Sequence, residues 1–229
     1  MTNVCRSRGC AVHLEDPTGV SSVHTATVSS TIVVVLAAGG GSRFVGPGHK
    51  LLAELDGRSI IEAAIDAAVA AAIGPVLVVT GAVDLGSLTA LYHGTGDAPE
   101  VTNAHNPDWA DGQATSLQVA VHAATDLGAD AIVVGLGDQP FVRADAWRAV
   151  ADSDSPIAVA SYGGKRRNPV RLHRSVWDQL PVHGDEGARS LIHLRPDLVE
   201  AVPCHGSAAD IDTREDLQAW QSRSSTNSR

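Results

Sequence analysis

Aromatic residues are almost missing from this sequence: four Trp, two Tyr and two Phe among 229 residues. A core built with so few rings has to come from Val, Leu, Ile and Ala, and the 44% hydrophobic content is enough for one large core without staples. Cysteine is scarcer still. Cys5, Cys10 and Cys204 are an odd set with two members near the start, which excludes a disulfide framework. No pair has zinc-finger spacing, and a reducing compartment is expected. No apolar run is long enough to span a bilayer, and the start lacks an apolar segment of signal-peptide type. These absences predict a cytoplasmic protein with no membrane partner. A basic stripe is missing too: 17 Lys and Arg stand against 26 Asp and Glu, a formal net charge of −9, so nucleic acid is not an expected partner. An anionic small ligand is still compatible, since a few local cations and a helix N-terminus can hold it against a negative background.

What is present alternates. Residues 1–30 are polar, aperiodic and rich in Ser, Thr and His, and are expected to form a weakly ordered extension. Residues 222–229 read as a flexible tail. Between them, 31–221 read as one domain. "TIVVVLAA" from Thr31 is a strand buried on both faces. Residues 59–73 have apolar positions at helical spacing, with Ser59 and Glu62 placed for a capping box. Further strands are expected at 74–81, near 100–107 and at 130–140, and helices at "DLGSLTALY", at "QATSLQVAVHAATDLG" up to Gly128, and at "RADAWRAVADS". "SPIAVASYGGKRRNPVRLH" reads as two strands around a Gly-Gly turn, and a last helix is expected over 213–221. Alternating strands and helices predict a three-layer α/β fold of Rossmann-like type with a mainly parallel, mixed sheet, and ligands at the carboxyl ends of its strands.

The first strand runs into "LAAGGGSRFVGPGHK". A Walker phosphate loop fails here, because Pro47 stands where its lysine belongs, and the Gly-x-Gly-x-x-Gly dinucleotide fingerprint fails at the registers starting at Gly39 and Gly41. What remains is general chemistry. Small residues after Leu36 and Ala37 let a ligand approach the backbone. Free amides of Ala38, Gly39, Gly40, Gly41 and Ser42 can cradle phosphates. Arg43 offers a planar fork and Lys50 a point charge.

Asp138 ends the hydrophobic run "DAIVVGLGDQP" at the expected ligand edge. It could be a helix N-cap or turn residue, but a carboxylate there also suits Mg²⁺, which takes oxygen ligands and bridges substrate phosphates. Asp210 and Asp212, in "DID", precede the last helix, and Asp212 could simply be its cap.

The loop resembles the signature of the MobA-like nucleotidyltransferases, and most of all that of the molybdenum cofactor cytidylyltransferases. The resemblance continues through "VVTG", "HNPDWADGQATSL", "LGDQP", "RNPV", "GDEGAR" and "DIDTREDL", in that order, over roughly 31–221. It implies that Asp138 and a carboxylate of "DID", Asp212 with Asp210 in reserve, hold Mg²⁺. It implies that the loop residues Leu36 to Arg43, with Lys50, hold a nucleoside triphosphate, and that Thr80, Gly81, Gly112 and Ser116 contact its base and ribose. It further implies that Asn168, Pro169, Gly187 and Arg189 face the phosphate of an acceptor, molybdopterin, with a molybdoenzyme or its chaperone as downstream partner. Arg189 could instead pair with Asp185. The implied reaction is attack of the acceptor phosphate on the α-phosphorus of CTP, releasing pyrophosphate, with Arg43, Lys50 and Asp138 as catalytic residues. A phosphate monoester is largely ionised near neutrality, so no general base is nominated. Cytidylyltransferases carry Leu-Ala-Ala-Gly where guanylyltransferases carry Leu-Ala-Gly-Gly; Ala38 therefore points to CTP over GTP. Guanylyl transfer from GTP, transfer to another phosphorylated metabolite, a non-catalytic cofactor carrier and a redox role are the alternatives.

Overall fold

A computed structural model of the chain describes residues 30–92 and 99–227. The extension expected over 1–30, with Cys5 and Cys10, lies outside the described residues except for Ser30.

The chain starts with β1 (Thr31–Ala37), in which Val33, Val34 and Val35 are fully buried. A short hairpin follows, β2 (Glu54–Leu55) and β3 (Arg58–Ser59), leading into α1 (Ile60–Ala70). Ser59 caps α1 through the capping box expected from its spacing to Glu62: the Ser59 hydroxyl accepts from the Glu62 amide, and the Glu62 carboxylate accepts from the Ser59 amide. Then come β4 (Val76–Thr80), α2 (Gly86–Thr89), β5 (Val101–His105), α3 (Gln113–Asp126), β6 (Ala131–Leu136) and α4 (Ala144–Ala151). The last part holds β7 (Ile157–Tyr162), β8 (Lys165–His173), α5 (Arg189–Leu194), β9 (Val199–Pro203) and α6 (Arg214–Asn227).

Seven strands form one sheet in the order β5-β4-β1-β6-β8-β7-β9. β1 lies parallel between β4 and β6, and β8 runs antiparallel to both of its neighbours. The expected mainly parallel, mixed sheet is therefore present. Because β1 is central and covered on both faces, alternate residues enter different cores. Ile32, Val34 and Leu36 pack with Leu117, Ala120 and Val121 of α3. Val33 and Val35 pack with Ile61 and Ile65 of α1 and Trp147 of α4. Each such aliphatic side chain contributes about 1.5–3 kcal/mol on burial.

Three elements were not legible in the sequence: the β2–β3 hairpin, α5 and β9. Each is short, and β9, at the sheet edge, holds only half-buried and exposed residues instead of an apolar run. The last helix also continues past Gln221 to Asn227, into the segment expected to be a flexible tail. Among the described residues no helix is long and apolar enough to cross a membrane.

Candidate active site

Parallel strands release their carboxyl ends along one edge, and four charged side chains meet there from three distant segments. Lys50, after the glycine loop, places Nζ 2.6 Å from Asp138 Oδ2 and 3.2 Å from Asp212 Oδ1. Arg43 Nη2 lies 3.0 Å from Asp212 Oδ2. The Lys50 side chain is only 11% exposed, whereas that of Arg43 is 72% exposed and open to a ligand. Burial disfavours the Lys50 ammonium, but the charges and hydrogen bonds of Asp138 and Asp212 outweigh it, so Lys50 titrates above the ordinary lysine range.

Backbone bonds fix this edge. The Gly137 amide donates to the Leu36 carbonyl, the Ala82 amide to that of Ala38, and the Ile211 amide to that of Asp138, at 2.9 to 3.0 Å. The last of these holds the "DID" segment against the turn after β6. Neither aspartate serves as a helix cap. Arg143 stands at the N-cap of α4 and makes no side-chain cap bond. For α6, Thr213 and Asp216 form the reciprocal cap: the Thr213 hydroxyl accepts from the Asp216 amide and the Asp216 carboxylate accepts from the Thr213 amide. The Asp212 carboxylate is thereby free for the two cations.

The loop after β1 is open. Gly39 and Gly40 are exposed, as are Ser42 and Arg43. Among the described residues no backbone carbonyl accepts from the amides of 39–43, which leaves these donors available to a ligand. His49 fastens the loop: its Nε2 lies 3.0 Å from the Gly39 carbonyl and its Nδ1 accepts from the Leu51 amide. Burial lowers its pKa against the pull of that carbonyl, with Lys50 adding to the lowering.

Ala38 is buried, 4% exposed, and its methyl lies against Gly81; a Cβ on Gly81 would come within 2.8 Å of it and 2.6 Å from Trp109 Cβ. Trp109 also covers Gly40. Nothing in the sequence singled Trp109 out beyond its place in "HNPDWADG".

Beside the cations lies a cavity of about 550 Å³. Its floor is apolar, with Leu36, Leu117, Val134, Leu136, Val159 and Ile192. Its polar wall carries Asn168, Gly187 and Arg189, expected on the acceptor side, Asp210, expected as the reserve metal ligand, and Gln139, Arg166, Arg167 and Glu186, for which no role was expected. The run Lys165-Arg166-Arg167 directly after the Gly-Gly turn was the available signal. Arg189 makes no ion pair with Asp185 among the described residues. The β7–β8 pairing steps from Val159↔Val170 to Ala160↔Arg167, so that Asn168 and Pro169 bulge out of the ladder. Asn168 donates to Gln139 Oε1 at 3.3 Å, and Gln139 donates to Asp210 Oδ1 at 2.6 Å. Partial burial raises the pKa of Asp210, opposed by the Gln139 bond and reinforced by Asp138 and Asp212. Asp210 thus belongs to the cavity wall, and Asp212 to the cation pair.

Other expected contacts are turned inward. Thr80 is buried and its hydroxyl donates to the Ala104 carbonyl. Ser116 is buried and accepts from Asn106 Nδ2, which also reaches Thr115. Gly112 packs tightly on Gly184 and Asp185. As placed, these three shape the loops around the cleft from behind; Pro169 is not among the residues that line the cavity.

Asp138 and Asp212 are the carboxylates that would hold a divalent cation, but Lys50 and Arg43 occupy three of their four oxygens, so Asp212 would have to exchange a cationic partner for the metal. Asp138 Oδ1 is buried and has no hydrogen-bond partner among the described residues, an uncommon state for a carboxylate oxygen that a metal ligand would relieve. The described residues contain no cluster of three or more His, Cys, Asp or Glu suited to a metal. Two carboxylates completed by water and substrate phosphates is the arrangement that Mg²⁺ accepts.

The MobA-like NTP transferase domain family matches residues 33–201. The chain is 31% identical to the purine catabolism protein PucB of Bacillus subtilis, over 82% of this chain and 95% of PucB. It is 27% identical to the nicotine blue oxidoreductase of Paenarthrobacter nicotinovorans, over 80% and 93% of the two chains. Among solved structures, Rv0371c of Mycobacterium tuberculosis superimposes with a TM-score of 0.69 at 26% identity, over 86% of this chain and 99% of that one. A second structure of Rv0371c is a complex with manganese (TM-score 0.66, 25% identity, 85% of this chain and 99% of that one).

Proposed function

We propose, from the premise that the chain belongs to the MobA-like NTP transferase domain family, that this nucleotidyltransferase moves CMP from CTP to the phosphate of a molybdopterin-type acceptor and releases pyrophosphate. The observation that carries the reading is the juxtaposition of the exposed glycine loop and Arg43 with the Lys50–Asp138–Asp212 cluster, next to a cavity with an apolar floor and a charged wall of Arg166, Arg167 and Arg189 with Glu186 and Asp210.

In this mechanism the protein positions reactants and neutralises charge; it does little covalent chemistry. The amides of 39–42 and Arg43 receive the triphosphate. Lys50, held charged by its two carboxylates, stabilises the leaving pyrophosphate. Asp138 and Asp212 would hold Mg²⁺, which supplies charge neutralisation for the phosphoryl oxygens. The manganese complex of Rv0371c supports a divalent cation in this fold. Arg189 and Asn168 hold the acceptor phosphate, and the apolar floor excludes water from its ring system. An acceptor phosphate that is already ionised needs no base.

The name of the nicotine blue oxidoreductase keeps a redox reading second. The chain lacks the dinucleotide fingerprint at its glycine loop.

Thermal-shift binding tests the proposal with CTP, GTP, ATP and UTP, each with and without Mg²⁺, and with NADH and NADPH. A Mg²⁺-dependent shift with CTP alone is expected. A shift with GTP instead would transfer the reading to guanylyl transfer, and a shift only with a nicotinamide nucleotide would replace it by the redox one.

A further inference from the structure

Arg214 opens α6, two residues after Asp212, and its side chain turns back onto the glycine loop. Its Nε donates to the Val45 carbonyl at 2.8 Å and its Nη2 to the Pro47 carbonyl at 2.7 Å. Its guanidinium carbon lies 5.0 Å from the centroid of the Phe44 ring. Phe44 is anchored in a small separate core with Leu55, Ile60, Ile211 and Leu217. Gly46, between the two accepting carbonyls, has φ +131°, and a Cβ there would come within 2.5 Å of Arg214 Nε. The bare backbone at 46 is what lets the planar fork lie flat against the loop.

This clamp joins the two halves of the cation cluster. Arg43 sits one residue before Phe44, Lys50 three after Pro47, and Asp212 two before Arg214. A loop with glycines at 41, 46 and 48 has much conformational freedom to lose on meeting a ligand. A donor fork that reads two carbonyls and a ring removes that freedom in advance. Arg214 is absent from the Lys50–Asp138–Asp212 contacts and from the cavity wall. Its contacts therefore have one evident object, the shape of the loop.

We propose that Arg214 is a positioning residue for the triphosphate: it keeps loop 43–48 assembled, with Arg43 against Asp212, so that nucleotide binding does not bear the cost of ordering it. The affinity part of this inference rests on the nucleotidyl-transfer reading of the same site.

The test compares the full wild-type chain with Arg214→Ala and Arg214→Lys. Hydrogen exchange is read at the Phe44 and Val45 amides, which bond to the Gly41 and Arg43 carbonyls. CTP affinity with Mg²⁺ and the steady-state constants are measured alongside. In Arg214→Ala the two amides should exchange at least about tenfold faster while β1 and β6 stay protected. KM for the nucleotide should rise about tenfold with kcat within about threefold, the pattern of lost ground-state organisation. Lysine keeps the charge but not the fork, so Arg214→Lys should fall between. Unchanged exchange at Phe44 and Val45 would overturn the proposal, as would faster exchange throughout β1 and β6, which would mean general loosening. A wild-type chain that binds no nucleotide would instead overturn the transferase reading, and the exchange data alone would then decide whether Arg214 orders the loop.

Discussion

Lys50 and Asp138 are 88 positions apart in the chain and meet at 2.6 Å. The contact occupies one carboxylate oxygen of Asp138, while the other is buried and unpartnered. If Mg²⁺ is held here as proposed, it would compete with the Lys50 ammonium for Asp138 and Asp212. Four predictions follow from the positions of these and neighbouring groups.

Asp138→Ala should reduce turnover by at least about 100-fold, because it removes a charge from the point where the phosphates are neutralised. Lys50 keeps Asp212 as a partner, so the variant should remain folded, with a melting temperature lower by a few degrees. Pyrophosphate release and a thermal melt measure both. Normal turnover would remove Asp138 from the chemistry.

The raised pKa of Lys50 makes a statement about stability. A raised pKa in the fold means that the native state holds the proton more tightly than the unfolded chain. The stabilisation is fully present below the unfolded lysine value of about 10.4 and is lost as pH rises through the higher folded value. The melting temperature of wild type relative to Lys50→Met should therefore be flat from pH 7 to about 10 and should fall above that. A difference that already shrinks near pH 8 would contradict the assigned partners.

Gly81→Ala should destabilise through crowding alone. Its methyl would come within 2.6 Å of Trp109 Cβ and 2.7 Å of the Ala38 carbonyl, and neither is the end of a flexible side chain. Overpacking of this kind costs about 1–3 kcal/mol, which in a chain of this size lowers the melting temperature by about 3–10 °C. A thermal melt within a degree of wild type would mean that this corner of the cleft yields easily.

Arg189→Ala should separate the two substrates. The side chain lines the cavity and lies outside the cation cluster. Acceptor KM should rise by about 10–100-fold through loss of a charge-assisted bond, with nucleotide affinity unchanged. Equal losses for both substrates would place Arg189 in the nucleotide half of the cleft.

The parts of the fold that could be read in advance are those with a dense local signal. "TIVVVLAA" announces a strand covered on both faces, Ser59 with Glu62 announces a helix start, and the alternation of such units announces the layered sheet. The β2–β3 hairpin, α5 and β9 carry too few residues and too little periodicity, and their conformation follows from what they pack on. At the site, Arg43, Lys50, Asp138 and Asp212 could each be named, because cations after a glycine loop and carboxylates at strand ends are chemically conspicuous. Thr80 and Ser116 were equally conspicuous and turned out to face inward, since a hydroxyl serves a buried hydrogen bond as readily as a ligand.

By itself, the sequence determined the α/β class, the strand that carries the glycine loop and the residue types available for phosphate chemistry, because these depend on local periodicity and on side-chain charge. Only the tertiary structure decided which carboxylate of "DID" faces Lys50 and which faces the cavity, that Thr213 and not Asp212 caps α6, and that Arg214 reaches back across the loop. Those choices depend on backbone bonds between segments far apart in the chain, such as Ile211 to Asp138, and no local pattern encodes the direction in which a side chain leaves such a junction.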